Sequence, residues 1–492
     1  MSGIVGWLNF ENLSNNEYGI FENMSNAIYK RGANSAFFRT NNIMLNQRQD
    51  NPIDKTFSMS ARGCEFTIAF SGKLFNYREL RKDLEACGYE FVGKSDDEIV
   101  LKAYIEWGND SVTKFNGNFA YAIWENKAKK LFIARDRMGI MPLFFYKYSK
   151  GIIFASEIKS LMANGMIRPE VDNYGIKQLL LLGPSRSCGC GIIKGVEELK
   201  PAEFLVCDNN SYNLHTFWKP IAVYHKDNLG KTVETTRELI TDSITRQLEG
   251  EETPACFLSG GLDSSIITAV AADLYKKQGK TLNTYSVDYE GNDKFFVKNS
   301  FQSARDNYYI DIMSDFTKSV HKYFVLDTEE VAESIYDASV ARDLPGMGDI
   351  DSSLLVLCIK VKKEKNICMS GECADEFLGG YPWYHRPELL FRDNFPWLNA
   401  TDLRVNLYNS TILGGGNEEF IHDKYNQTVD FTDYLPTDDK QGRRIREMFM
   451  LNYYWFMQTL IDRTDRMAAS SGLEVRVPYC DNKIVDYAFN MP

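Results

Sequence analysis

The rhythm of hydrophobic and polar positions changes once along this chain. Up to about residue 200, short apolar stretches alternate with Gly-, Asn-, Asp- or Lys-rich turns. Gly3–Phe10, Glu65–Phe75, Lys130–Asp136, Pro142–Tyr148 and Gly151–Ser156 read as strands. Arg78–Cys87 and Asp97–Trp107 carry the 3.6-residue period of helices. Strands grouped in this way predict a layered α+β domain. A polar stretch, Tyr224–Thr232, reads as a connection. From about Val233, long helical patterns alternate with single apolar strands at Ala255–Leu258, Leu282–Asp288 and Asn366–Ser370. That alternation predicts a parallel α/β sheet, whose ligands sit beyond the carboxyl ends of the strands.

The first of those strands runs into Phe-Leu-Ser-Gly-Gly-Leu-Asp-Ser-Ser at 257–265. A helix is predicted to start at Ser264 or Ser265, with Ile266, Ile267, Val270, Ala271 and Leu274 on one face. Gly260 and Gly261 let backbone approach a ligand, and unpaired amides at a helix start favour an anion. Ser259, Ser264 and Ser265 add hydroxyl donors, and the Asp263 carboxylate suits Mg2+. The stretch lacks the Gly-Lys-Ser/Thr ending of a Walker loop, which argues against cleavage of a terminal phosphate. SGGxDS resembles instead the pyrophosphate loop of enzymes that cut ATP between its α and β phosphates. The plainer alternative is a Gly-Gly turn with a Ser/Asp helix cap.

A second strand ends in Ser370-Gly371, followed by Glu372, Asp375 and Glu376. Clustered carboxylates repel one another unless a cation or basic group joins them. Asp263 and Asp375 could clamp one Mg2+ with the β and γ phosphates, and Glu372 is placed to act on an amine or an acyl-adenylate. Solvated acids around a turn are the alternative. A third segment, Arg342-Asp343-Leu-Pro-Gly-Met-Gly-Asp349-Ile-Asp351-Ser-Ser, offers charges for an amino-acid substrate.

The bulk numbers narrow the field. At 492 residues the chain has room for two or three domains, and 25% charged with 44% hydrophobic residues is an ordinary globular composition. A net charge of -11 argues against a broad nucleic-acid or anionic-membrane surface. The ten cysteines form no CxxC pair, and the five histidines (His215, His225, His321, His385 and His422) show no metal spacing. Structural zinc is not expected and the thiols are expected to be reduced. With no membrane-length apolar run and no signal-like start, a cytoplasmic protein is expected.

Together these segments resemble the glutamine-dependent asparagine synthetases over nearly the whole chain. The matching pieces are SGGLDSS at 259–265, SVDY at 286–289, ARDLPGM at 341–347 and SGECADE at 370–376, followed by GGYPWYH. They continue with DRM…SGLEVRVPYCD at 465–481, ARDRMGIMPLF at 134–144 and FASEIKSL at 154–161. The resemblance implies two domains: a glutamine amidotransferase type 2-like domain at 1–215 and an asparagine synthetase-type ATP-binding domain at 233–492. The first would be an N-terminal nucleophile-type αββα sandwich. The second would be an α/β domain of the ATP-pyrophosphatase, or adenine nucleotide alpha hydrolase-like, type. The implied cofactors are ATP and Mg2+. The implied reaction converts aspartate, ATP and glutamine-derived ammonia to asparagine, AMP and pyrophosphate. Ser259, Gly260, Gly261, Leu262, Asp263 and Ser264 would hold pyrophosphate, Val287 would lie near adenine, Ser370 and Gly371 would line the nucleotide site, and Glu372 would serve amide formation. Partners would be small molecules only, and a homodimer is compatible with the sequence without being specified by it.

The chain departs from the family at its first half. Ser2 replaces the nucleophilic cysteine, and a hydroxyl needs a dedicated base where a thiol does not. The Tyr-Asn-Gly-Glu segment, which supplies an oxyanion donor and a substrate-binding acid, appears as Phe70-Ser71-Gly72-Lys73. Losing such a donor costs roughly 100- to 1,000-fold in rate. Lys73 puts a positive charge where the substrate ammonium meets an acid. The His-Arg-Gly-Pro-Asp segment is Lys30-Arg31-Gly32-Ala33-Asn34, so Arg48 and Asp96 remain to hold a glutamine-like carboxylate and amine. Very low or absent glutaminase activity is expected. At the other end the chain stops at Met491-Pro492, where family members continue into a basic segment with a charge-stabilising lysine. Lys483 is the nearest lysine, and no motif assigns it that role.

Three functions are therefore in competition. One is an asparagine synthetase-type ligase with the sandwich as scaffold. Another is a relative of β-lactam synthetases or other amide-forming ligases that use a substrate amine, for which Tyr336 and Tyr381 are candidate tyrosines. The third is a nucleotide-binding pseudoenzyme.

Overall fold

A computed structural model of the chain describes residues 1–53, 56–208, 211–250, 252–297, 305–398, 401–408 and 410–492. The chain divides into two compact units, Met1–Lys219 with Ala400–Phe420, and Pro220–Asn399 with Ile421–Pro492.

The first unit contains two six-stranded antiparallel sheets. In spatial order, one is Val196–Glu198, Phe144–Tyr148, Gly151–Ala155, Ser2–Asn9, Ile43–Gln49 and Asn34–Arg39. The other is Ser211–Thr216, Glu203–Asp208, Lys130–Arg135, Gly117–Glu125, Cys64–Leu74 and Ser58–Ala61. Ile4, Leu8, Ile43, Leu45 and Phe154 of the first sheet pack with Ala69, Ala122, Trp124, Ile133 and Leu205 of the second. Each large side chain buried there contributes about 1.5–3 kcal/mol. The far face of the second sheet is covered by helices Tyr77–Ala86 and Asp96–Trp107, whose Leu80, Leu84, Val100 and Tyr104 join Phe70, Tyr121 and Phe132. Helix Asn15–Ala27 begins with a capping box, in which Glu17 reaches back to the Ser14 amide. This is the αββα layering that the resemblance implies.

All five predicted strands of this unit and both predicted helices form within two residues of their expected ends. Asn34–Arg39, Ile43–Gln49 and Gly117–Glu125 were not expected. The last is buried at every position between its ends, so it shows no alternation to read.

The second unit is built on a five-stranded parallel sheet, ordered Val320–Leu326, Asn283–Tyr289, Ala255–Phe257, Ile367–Met369 and Glu474–Arg476. Ala255–Phe257 is the centre of the winding. The chain leaves it toward Asn283–Tyr289 on one side and later returns to Ile367–Met369 on the other. Carboxyl ends at such a reversal leave a crevice for a ligand. Among the described residues, no helix is long and apolar enough to cross a membrane.

Candidate active site

At the reversal, two loops leave neighbouring strands side by side. After Phe257, Gly260 turns the chain at φ +76, and a Cβ there would stand 2.8 Å from the Asp306 carbonyl oxygen. Gly261 caps helix Leu262–Lys277, two residues earlier than the predicted start. The first intrahelical bond is from Ser265 N to Gly261 O at 3.2 Å, so the amides of 262–264 have no acceptor one helical turn back. The early start has a local cause: Ser264 Oγ bonds Gly261 O at 3.2 Å and Ser259 Oγ at 3.1 Å, folding the loop onto the first turn. The buried face is Ser264, Ile267, Thr268, Ala271 and Tyr275, rotated by about one residue from the expected one. Leu262 is exposed.

The second loop lies against the first. A Cβ on Gly371 would stand 3.0 Å from Ser264 N and 3.3 Å from Asp263 Cβ. Ser370 is buried, and its amide donates to Arg476 O at 2.8 Å. Asp263 is pushed up to about 6, first by burial and then by the charge of Asp375, and burial also raises Asp375. A Cβ on Gly380 would collide with Asp375 Oδ1, so that glycine makes room for the carboxylate. Two raised acids facing one crevice suit a hard cation, which would relieve both. Among the described residues no three His, Cys, Asp or Glu side chains gather as a metal cage. The pair by itself would supply only part of the oxygen shell of such a cation.

The acids of this loop separate into different surroundings. Glu372 accepts from Arg463 Nη2 at 2.8 Å and Thr464 Oγ1 at 2.5 Å. Glu376 is buried, is pushed up to about 7 by that burial, and accepts from Tyr381 OH at 2.8 Å. Val287 is half-buried and packs on the core cluster of Ala255, Tyr285 and Leu357.

Arg463 and Thr464 were missed in the sequence. Their signal was there: a run of polar residues, Asp462 to Arg466, inside a long helix between Ile461 and Met467. The 342–351 segment also differs from expectation. Three of its four charges are paired: Arg342 with Asp351 at 3.1 Å and Asp462 at 3.0 Å, and Asp343 with Arg466 at 3.2 Å, while Asp349 is exposed. Asp351 also accepts from Met347 N at 2.9 Å. Arg342 and Asp343 thus brace helix Met457–Ser471, and Asp349 faces solvent.

In the first unit, Ser2 opens the central strand of its sheet. Its Oγ accepts from Gly72 N at 2.9 Å and lies 3.1 Å from Ser71 Oγ. Neither neighbour is a base. Arg48 is buried and already engaged, donating to Ser25 Oγ at 3.0 Å, Gly32 O at 3.2 Å and Asn26 Oδ1 at 2.7 Å. Asp96, raised by burial, accepts from Leu74 N at 3.1 Å and faces Lys73 Nζ at 3.7 Å. Arg31, in the altered segment, is buried in an ion pair with Glu157.

Comparison with known proteins matches residues 235–492 to the asparagine synthase family and residues 1–218 to the glutamine amidotransferase domain family. Among curated proteins, the chain is 38% identical over 500 residues to asparagine synthetase [glutamine-hydrolyzing] 3 of Bacillus subtilis, covering 100% of this chain and 81% of that protein. It is 26% identical over 535 residues to asparagine synthetase [glutamine-hydrolyzing] 1 of the same organism, again covering 100% and 81%. Among solved structures, glutamine phosphoribosylpyrophosphate amidotransferase from B. subtilis matches with a TM-score of 0.35 and 13% identity, over 76% of this chain and 82% of that one.

Proposed function

The chain belongs to the asparagine synthase family and is a ligase forming C–N bonds, and from that premise we propose an ammonia-driven asparagine synthetase whose glutaminase half is impaired. A carboxylate of the acceptor, aspartate by family, attacks the α phosphorus of ATP. The α–β bond breaks, pyrophosphate leaves, and an acyl-adenylate remains. Ammonia then attacks the acyl carbon, expels AMP and loses a proton, giving the amide. The observation that carries this reading is the contact of the two loops at Gly371 and Ser264, with Asp263 and Asp375 raised in the same crevice. The 262–264 amides and the Ser259 and Ser264 hydroxyls meet the departing pyrophosphate. Asp263 and Asp375 are the residues that would hold Mg2+, which would supply charge neutralisation for the leaving group. Arg463 and Thr464 hold Glu372 as an oriented carboxylate toward the acyl centre.

The glutaminase reading rests on the first unit. Ser2 Oγ meets only hydroxyl and amide groups at Ser71 and Gly72, so its base would be its own α-amine once Met1 is removed, and Ser71 and Lys73 stand where the family places the oxyanion donor and the substrate-binding acid. A substrate-amine ligase is less well supported. Tyr381 is committed to Glu376 rather than Glu372, and Tyr336 is exposed.

The test is incubation with ATP, Mg2+, ammonium and a panel of carboxylates, following pyrophosphate. Aspartate-dependent release with asparagine formed supports the proposal. Release with another acid and no need for ammonium replaces it with the substrate-amine reading. ATP binding without release makes the chain a pseudoenzyme.

A further inference from the structure

Helix Met457–Ser471 turns two faces to its surroundings. Asp462 and Arg466 lie one turn apart and bond each other, Arg466 Nε donating to Asp462 Oδ1 at 3.2 Å. The same pair receives Arg342 at 3.0 Å and Asp343 at 3.2 Å, so that face is closed by paired charges. Arg463 and Thr464, the next residues after Asp462, point about 100° and 200° further round the helix. Their face meets Glu372. Arg342 and Arg466 each divide a guanidinium between two carboxylates, whereas Arg463 has Glu372 alone among the described residues. The Arg463 side chain is 15% exposed, its Nη2 donates to Glu372 Oε1 at 2.8 Å, and its Nε is buried with no acceptor. Nη1 also lacks an acceptor among the described residues, and it is not sealed from solvent. A charged donor withdrawn from bulk water and left unmet favours an acceptor brought by a ligand. Glu372 cannot serve twice, because Thr464 Oγ1 occupies its other oxygen at 2.5 Å.

We propose that Arg463 Nη1 receives a second carboxylate of the acceptor, so that the acceptor is a short diacid rather than any carboxylic acid. This rests on the ligase reading and adds to it a binding residue and a rule of selection. With Glu372 directed toward the acyl centre, the guanidinium edge beside it lies within a short carbon chain of the carboxyl being activated. The planar fork of an arginine fixes the direction of the incoming carboxylate, which a lysine would not do. A monoacid fills the activation site but leaves Nη1 unpaired, and an unpaired donor in a closed site is a strong means of rejection. Arg463 thus does two things with one group: Nη2 orients Glu372, and Nη1 reads the acceptor.

The experiment follows pyrophosphate release by the full chain with ATP, Mg2+ and ammonium, and compares aspartate with β-alanine, which is aspartate without its α-carboxylate. The wild type should favour aspartate in kcat/KM by about 10- to 100-fold, the worth of one charge-assisted contact. Arg463→Met should bring the two acceptors within about twofold of each other, with KM for aspartate raised and KM for ATP unchanged. Thr464→Val loosens Glu372 alone, so it should slow both acceptors alike and keep the preference. If Arg463→Met folds poorly, Arg463→Lys keeps the charge without the fork and should reduce the preference. An undiminished preference in the Arg463 variant overturns the proposal and leaves Arg463 a support for Glu372. A wild type that uses β-alanine as well as aspartate overturns it too. Failure of the ligase reading is seen separately, as no pyrophosphate with any acid. In that case calorimetry with aspartate and β-alanine reads the same preference as a ratio of Kd values, and equal affinities for the wild type overturn the proposal.

Discussion

Lys73 Nζ stands 3.7 Å from Asp96 Oδ2, so the acid proposed to receive a substrate ammonium already faces an ammonium of the chain's own. Asp96 is the first residue of its helix, and its second partner is the Leu74 amide. Lys73 is about half exposed and can swing away, which makes this competition rather than a permanent block. We expect Ser2→Cys alone to leave glutamate release from glutamine near background, because Ser71 and Lys73 remain. Combining it with Ser71→Asn and Lys73→Glu should raise release by about 100-fold over the single variant, the worth of one oxyanion donor. A single Ser2→Cys change that restores turnover fully would remove Lys73 from the explanation.

Asp263 and Asp375 make a prediction about pH. Asp263 titrates near about 6 in the fold, against about 3.9 in an unfolded chain. Between those values the folded state holds the extra proton, so stability falls as pH rises from about 4 to about 6 and stays lower above that. Asp263→Asn removes this penalty. Without Mg2+ the variant should melt above the wild type at neutral pH, by about 1 kcal/mol after solvent screening, with the gap closing below about pH 4. Its pyrophosphate release should be lost. Equal melting of the two chains across this window would show that the pair carries no strain.

Arg463 and Thr464 bind opposite oxygens of Glu372. Removing Arg463 frees the carboxylate to rotate without touching the nucleotide loops. Arg463→Met should lower kcat by about 100-fold, the cost of an ångström-scale misplacement, with KM for ATP little changed. Arg463→Lys should recover part of the loss. A proportional rise in KM for ATP would mean that Arg463 serves the nucleotide instead.

Gly371 is required by a close approach of the two loops, not by its backbone angle. An added methyl meets Ser264 N at 3.0 Å and Asp263 Cβ at 3.3 Å, and neither can yield without moving the helix start. Gly371→Ala should destabilise the chain by about 1–3 kcal/mol, and ATP affinity should fall with it. Unchanged melting with weakened ATP binding would separate the two effects.

The elements that could be read from the sequence were those whose own residues state a period or a boundary. Leu80 and Leu84 mark one helix, and the Ser-Gly pairs after Leu258 and Met369 mark both loops. Gly117–Glu125 was hidden because burial on both faces erases alternation. The Arg463–Glu372 pair was hidden for a different reason: its partners lie 91 residues apart and meet only through the winding of the sheet. The charges of 342–351 were visible, but not their destination, since Asp462 and Arg466 lie more than 100 residues further on.

The excursion at Ala400–Phe420 belongs to the first unit although it is drawn from the second half of the chain. There Asn173 Nδ2 donates to Leu413 O at 2.8 Å, Lys177 Nζ to Gly415 O at 2.6 Å, and Tyr174 meets Phe420 edge-on. A gene cut after Lys219 would therefore yield a sandwich missing one of its own pieces, with the side of helix Asn173–Leu181 laid bare. The first unit is thus stitched from two stretches of polypeptide, and ribosomal synthesis must pass residue 420 before it is whole.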